Sequence, residues 1–134
     1  MDLRATRYGT IGSTGIIFLS RPERRNAWTG RMHTEYRWLL AEAEADPAVR
    51  VVVVTGDPAG GAFCVGADAR ALDGHIAKGG YDPGTTPDIP MPGFGVHPAF
   101  DADFAYHFGL TTPVVAAVNG AAAGVGLVLA CFAD

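Results

Sequence analysis

Val51-Val52-Val53-Val54 narrows the folds open to this chain more than any other stretch. Consecutive β-branched residues are stiff at χ1 and favour extended backbone, and an unbroken apolar run lacks the alternation of a strand with one wet face. The run predicts a strand over Val51 to Thr55, covered on both faces in a parallel sheet. Thr55-Gly56-Asp57-Pro58-Ala59-Gly60-Gly61 then turns the chain. Next, Ala62-Phe63-Cys64-Val65-Gly66-Ala67-Asp68 leads into Ala69-Arg70-Ala71-Leu72, which has helix-forming composition. Strand, glycine-rich turn and helix start in that order bring unpaired N–H groups to the positive end of a helix dipole. Such a place suits an anion, or an oxygen that becomes one during reaction. Gly66 permits close backbone approach, Ala67 is small enough to expose its own N–H, and Asp68 can cap the helix. An ordinary strand-to-helix connection has the same ingredients, so this stretch alone does not decide the chemistry.

The remaining segments extend the same pattern. Thr10 to Ser20 reads as a hairpin, with Gly12 and Gly15 around a polar turn and Ile16-Ile17-Phe18-Leu19 as a buried strand stopped by Arg21-Pro22. Thr29 to Ala45 reads as a helix with Thr29 as N-cap and Asp46-Pro47 as its end. Met32, Tyr36, Leu39, Leu40 and Ala43 form its apolar face, with Glu35, Arg37, Glu42 and Glu44 mostly opposite. From Gly74 to Ala99, five prolines among glycines predict a long irregular loop. Phe100 to Gly109 reads as a helix showing Phe104 and Phe108 on one face. Val114 to Val118 is the next strand and Ala121 to Phe132 the next helix. Strand, helix, strand order predicts α/β packing with right-handed crossovers.

Bulk properties remove several functions. The chain has 134 residues and 49% hydrophobic content, enough for the core of one domain. A formal charge of −4, with no basic stripe among aromatics, points away from nucleic acid and toward a small molecule. Cys64 and Cys131 show neither disulfide nor zinc spacing, which makes a reduced, cytoplasmic setting the default. The N-terminus lacks the apolar core of a secretory signal. His33, His75, His97 and His107 have no metal-ligand spacing, so no metal is expected. Neither Ser13 nor Ser20 stands in a G-x-S-x-G setting, and there is no phosphate-cradling G-x-x-x-x-G-K-[ST]. Pro113 to Ala133 is apolar enough for a membrane span, but Pro113, the Asn119-Gly120 turn signal and flanks without Lys or Arg favour strand, turn and helix in a protein that does not enter a membrane. An apolar helix at the end of the chain calls for cover from further chain or a partner.

Two turns stand out together. Gly66-Ala67-Asp68 and Ala123-Gly124-Val125-Gly126 each follow a valine-rich strand and each open a helix, and in a parallel sheet both would lie at the strands' carboxyl ends. Two N–H groups converging there would form an oxyanion hole. Arg21-Pro22-Glu23-Arg24-Arg25-Asn26-Ala27, Val51 to Gly56, Ala62 to Asp68 and Pro113 to Gly126 stand in the order seen in the crotonase superfamily, the enoyl-CoA hydratases and isomerases. From about Thr10 to Asp134 the chain resembles that family. The resemblance implies a spiral of β-β-α units, of which residues 1–134 would be an incomplete, N-terminal portion, acting on acyl-CoA thioesters with coenzyme A as part of the substrate and no other cofactor. Full-length relatives would be trimers or dimers of trimers.

Carried over by residue, the resemblance implies that the N–H groups of Ala67 and Val125 hold the thioester oxygen as an enolate develops. Gly66 and Gly124 shape the two turns; Asp68, Ala69 and Arg70 border the pantetheine, and Arg24 and Arg25 lie near the nucleotide end. The family usually has glycine where Val125 stands, and a β-branched residue there restricts the backbone and narrows the acyl slot. A hydratase of this family uses two glutamates, the first of them two residues after the glycine-rich turn. Counted from Gly126, that position is Val128, which cannot transfer a proton. The second would follow a further strand, beyond Asp134. The expectation is therefore isomerase-like or other non-hydratase chemistry, with Gly79 to Pro98 shaping the acyl pocket. The alternative is a non-enzymatic protein whose apolar C-terminal segment sits in a membrane or on a partner chain.

Overall fold

A computed structural model of the chain describes residues 1–80 and 105–134. The elements recur as a β-β-α unit: β1 (Thr6–Ile11), β2 (Thr14–Leu19) and α1 (Gly30–Ala45); β3 (Val51–Gly56), β4 (Ala62–Cys64) and α2 (Ala69–Ala77); β5 (Val114–Ala117), β6 (Ala121–Ala122) and α3 (Val125–Cys131). The first sheet runs β1-β2-β3-β5, and β4 pairs with β6 in a second. β1 and β2 form an antiparallel hairpin with Ile11 opposite Thr14, while β3 is parallel to both β2 and β5. In the second and third units the first strand enters the larger sheet and the second strand enters the smaller one. Each unit's second strand therefore leads out of a sheet toward a helix, and in those two units that sheet is the smaller one.

Burial explains why these segments form these elements. Ile17 and Leu19 of β2 and Val52 and Val54 of β3 are buried, and they join Met32, Tyr36, Leu39, Leu40 and Ala43 of α1 and Phe63 of β4 in one core. The expectation of a β3 covered equally on both faces needs correction: Val51, Val53 and Thr55 alternate with the buried positions and are only half-buried. α1 begins where expected, with the Thr29 Oγ1 accepting from the Met32 N–H at 3.1 Å. Its polar side, however, is not all solvated. Glu35 is fully buried and accepts the backbone N–H groups of Arg4, Ala5 and Thr6, each at 2.9 Å, together with the Thr6 hydroxyl. Arg37 is buried with its guanidinium carbon 4.9 Å from the Tyr106 ring centre, a cation–π contact. Burial of Glu35 is tolerable because its oxygens are occupied by donors that would otherwise go unpaired.

Three further expectations are corrected. α2 continues through Gly74 to Ala77, so the chain does not leave regular structure at Gly74; from residue 81 the proline-rich stretch, including most of Gly79 to Pro98, lies outside the described residues. Of the helix read over Phe100 to Gly109, Phe104 falls outside the described residues, and Ala105–Gly109 is a 3-10 turn with Phe108 exposed. Ala121 and Ala122 are a strand rather than the start of a helix, because they pair with Ala62 and Cys64. No helix among the described residues is long and apolar enough to cross a membrane.

One carboxylate fastens the last unit to the first, and another closes the last unit on itself. Glu44, near the end of α1, accepts the Thr111 and Thr112 N–H groups at 2.8 and 2.9 Å, and Asp134 accepts the Val114 N–H at 2.9 Å. Burial pushes the Glu44 carboxyl up, but the hydrogen bonds from Thr111 and Thr112 outweigh it and hold it lowered to about 2. His107 is buried, with Nε2 2.8 Å from the Tyr36 hydroxyl. Burial lowers its imidazole to about 4, against the opposing pull of the Phe132 backbone and the Asp134 charge.

These shifts predict a stepped pH dependence. An imidazole lowered from 6.5 to about 4 binds its proton more readily in the unfolded chain, so its stabilisation is complete above pH 6.5 and is lost as pH falls from 6.5 toward 4. The full window corresponds to about 3 kcal/mol. Glu44 loses its contribution only below 4.5. Urea unfolding at a series of pH values should show stability falling between pH 6.5 and 4.5 in the native sequence, and a markedly flatter profile in His107→Gln.

Candidate functional site

The two turns expected to cooperate do lie side by side. β4 and β6 are parallel, the Ala123 N–H donates to the Cys64 carbonyl at 3.0 Å, and each strand runs directly into its own turn. Each turn comes after a valine-rich strand, as expected, but does not issue from the sheet that those strands build. β3 and β5 are separated from them by Asp57–Gly61 and Val118–Gly120, and the turns issue from the smaller sheet.

The two turns pass close to one another, and positive φ at both glycines disfavours any other residue there. A Cβ on Gly66 would lie 3.2 Å from the Ala123 carbonyl oxygen, and one on Gly124 would lie 3.7 Å from the Gly66 Cα. Gly66 also has φ +102° and Gly124 φ +49°, in the region that disfavours L side chains. A Cβ on Gly126 would come 2.3 Å from the Cys64 carbonyl oxygen, which no rotamer change relieves. Ala67 and Val125 are the residues immediately after the touching glycines. Ala67 is exposed and Val125 half-buried, and neither N–H donates a hydrogen bond to any described residue. Two backbone donors on adjacent turns thus remain available to an external acceptor.

The Ala67 turn is held from outside by the loop after β2. Trp28 N–H donates to the Gly66 carbonyl and Asp68 N–H donates to the Trp28 carbonyl, both at 2.8 Å, so Trp28 bridges the backbone around Ala67 and leaves its N–H unengaged. Asn26, fully buried, donates from Nδ2 to the carbonyls of Asp57 and Ala62 and accepts from the Arg21 N–H. Asp68 caps α2, Oδ1 accepting from the Arg70 N–H at 2.9 Å, while Oδ2 pairs with Arg21 Nη1 at 2.9 Å. Burial pushes the Asp68 carboxyl up, but Arg21 and the Arg70 and Ala71 amides outweigh it and leave it below the usual carboxylate range.

Arg21 is the functional-site residue that sequence reasoning missed. The sequence reads it as the stop of a strand and as part of a motif, without a contact to the site, yet it is the arginine that pairs with Asp68 in the first turn. Arg24 closes a 3-10 turn over Pro22–Arg24 and Arg25 is exposed with φ +51°; no ion pair joins either of them to the two turns. Ala69 and Arg70 open α2 and are exposed. Val128 is on α3 and 41% exposed, so an apolar side chain occupies the accessible face two residues past Gly126.

Comparison with known proteins agrees with this architecture. The family model described as Enoyl-CoA hydratase/isomerase matches residues 14–134. The chain belongs to that family and has the crotonase fold. It is 40% identical over 119 residues to the probable enoyl-CoA hydratase EchA14 of Mycobacterium tuberculosis, a match covering 89% of this chain and 41% of that protein. It is 36% identical over 119 residues to the 1,2-epoxyphenylacetyl-CoA isomerase of Escherichia coli, covering 88% of this chain and 41% of the isomerase. Among solved structures it is similar to a probable enoyl-CoA hydratase/isomerase from Mycobacterium abscessus, with TM-score 0.70 and 34% identity, over 96% of this chain and 43% of that one. The chain spans about two fifths of the length of the curated relatives it matches.

The partly buried Arg21–Asp68 pair should be coupled to the turn. Arg21→Ala is expected to destabilise the chain by about 1–2 kcal/mol because it removes a charged partner from a carboxylate that keeps only backbone donors. A double-mutant cycle with Asp68→Asn, followed by urea denaturation, should return a coupling energy of about 1–3 kcal/mol; additivity would mean that the pair does not hold the turn.

Proposed function

We propose that this chain binds an acyl-CoA thioester and stabilises its enolate between the N–H groups of Ala67 and Val125. The observation that carries this reading is the contact of Gly66 with Gly124, which sets two unengaged amides on neighbouring turns. An oxygen accepting both donors gains most as it becomes negative, so the arrangement favours an enolate over the neutral thioester. Gly66 and Gly124 keep the turns close, and Asp68 with Ala69 and Arg70 borders the path of the pantetheine. The reaction is isomerase-like or another non-hydratase transformation of the enolate. Its support is Val128: a hydrocarbon cannot activate water, whichever acid or base a longer chain supplies. Relatives named for hydratase and for isomerase activity match at similar identity, so the preference stands on that residue alone. The free thiols Cys64 and Cys131 suit a reducing, cytoplasmic setting.

A second, non-enzymatic reading, in which the C-terminal segment packs on a partner chain, draws on the exposed Val115, Val118, Leu127 and Val128. A thioester labelled with carbon-13 at its carbonyl separates the two. Infrared spectra of the complex should show the carbonyl stretch moved to lower frequency by the two donors, and Val125→Pro, which deletes one N–H, should reverse part of that shift and weaken binding about tenfold. A carbonyl frequency equal to that in water, unchanged by Val125→Pro, would remove the oxyanion reading. Hydration of an enoyl-CoA is expected to be undetectable in the same preparation.

A further inference from the structure

We propose that Asn119 is a positioning residue, whose side-chain amide stands in for a peptide group beside the end of β3 and so sets the register of the two turns that carry the Ala67 and Val125 N–H groups. The functional consequence rests on the enolate reading; the register itself rests on geometry alone. Asn119 Oδ1 accepts the Gly56 N–H at 3.1 Å, and Nδ2 donates to the Gly56 carbonyl at 2.8 Å. One side chain thus holds both backbone polar groups of one residue.

The strand pattern explains why a side chain is needed there. β3 and β5 pair in parallel from Val52 opposite Val114 to Thr55 opposite Ala117, where β5 ends and the chain turns away toward β6. The Val52 N–H donates to the Pro113 carbonyl, and peptide groups two residues apart along a strand point the same way, so Gly56 also faces β5. Without Asn119, it would offer a donor and an acceptor to a strand that has already left. Gly56 is buried, so leaving those groups unpaired is costly. A carboxamide carries an acceptor and donors in one plane, as a peptide group does, and therefore satisfies both.

Gly56 and Asn119 stand where the chain crosses from the larger sheet to the smaller one, and the smaller sheet does not fix its own register. β6 is only two residues long, and its pairing with β4 shifts between Ala62 and Cys64. What is fixed lies at its base. A Cβ on Gly56 would come 2.2 Å from the Ala62 carbonyl oxygen, and one on Gly120, next to Asn119, 2.9 Å from the Ala62 Cα. Asn26 Nδ2 donates to that same Ala62 carbonyl at 2.8 Å. Two asparagines therefore set the first paired residues of the smaller sheet, Asn26 at the start of β4 and Asn119 at the approach to β6. Ala67 and Val125 follow those residues closely in the chain. Loss of the Asn119 clamp lets β6 move against β4 and displaces the Val125 N–H relative to that of Ala67, while the larger sheet stays intact.

The test compares Asn119→Ala and Asn119→Asp with the native chain by amide hydrogen exchange. The reporter is the Ala123 N–H, which donates to the Cys64 carbonyl; the reference is the Arg50 N–H, which donates to the Ser13 carbonyl before the start of β3. Relative to that reference, exchange at Ala123 is expected to quicken about tenfold in both variants at neutral pH. The carboxylate introduced by Asn119→Asp keeps the acceptor but sets a second oxygen against the Gly56 carbonyl, and it regains a donor when protonated. Acidification to about pH 4.5 should therefore bring Asn119→Asp back toward the native chain measured at the same pH, and leave Asn119→Ala unrestored. In the ligand-bound arm, butanoyl-CoA labelled with carbon-13 at its carbonyl should lose part of its infrared shift in Asn119→Ala. If the native chain produces no such shift, the enolate reading fails and the exchange comparison alone decides the register. Native exchange at Ala123 in both variants, a defect in Asn119→Asp that acidification does not reduce, or a carbonyl shift as large in Asn119→Ala as in the native chain would overturn the proposal.

Discussion

The structure depends on the backbone-to-backbone approach of two glycines, Gly66 and Gly124, across the β4–β6 pair. At two glycines beside that seam nothing larger fits. A Cβ on Gly120 would lie 2.9 Å from the Ala62 Cα, and one on Gly126 only 2.3 Å from the Cys64 carbonyl oxygen. The run Gly120-Ala121-Ala122-Ala123-Gly124-Val125-Gly126 thus finds its physical reason in a strand and turn pressed against another strand and turn. Small residues spaced this way also mark paired membrane helices. Here the same need, close approach of two backbones, is met within a small parallel sheet.

Holding two turns in register needs more than the seam, and the buried polar side chains supply it. Asn26 ties the loop after β2 to the carbonyls of Asp57 and Ala62, Trp28 brackets Ala67, and Arg21 fixes Asp68. Glu35, in the second turn of α1, does comparable work by gathering the N-terminal segment. Asn26 and Glu35 are fully buried, and their side-chain polar atoms are all hydrogen-bonded to the backbone or to an opposite charge. Satisfied groups of that kind fix one arrangement; unsatisfied ones would destabilise every arrangement.

Much of this was legible in the residues, and the misses have definite causes. The hairpin turn with β2, α1 with its Thr29 cap, β3 and β5 followed from hydrophobic period and turn residues, since local pattern and burial agree there, whereas most of β1 precedes the hairpin read from Thr10. Ala121-Ala122 read as helix because alanine favours helix, but pairing with β4 overrode that propensity. Glu35 and Arg37 read as solvated because polar residues usually are; nothing local to α1 announces that the Arg4–Thr6 amides and the Tyr106 ring will meet them. The prominence of Arg24 and Arg25 over Arg21 has the same origin. Which of three nearby arginines faces Asp68 is a tertiary fact with no signature in composition. The two amide-bearing turns were legible as motifs, while their derivation from a second sheet was not.

The account's central claim is that Ala67 and Val125 act as one unit on one oxygen. Nitrogen-15 labelled chain titrated with a non-reactive acyl-CoA thioester analogue tests it directly. Both amide protons should move downfield together, along one saturation curve with a single dissociation constant, as hydrogen bonds to the same carbonyl form. Movement of only one, or of both with different dissociation constants, would contradict the claim.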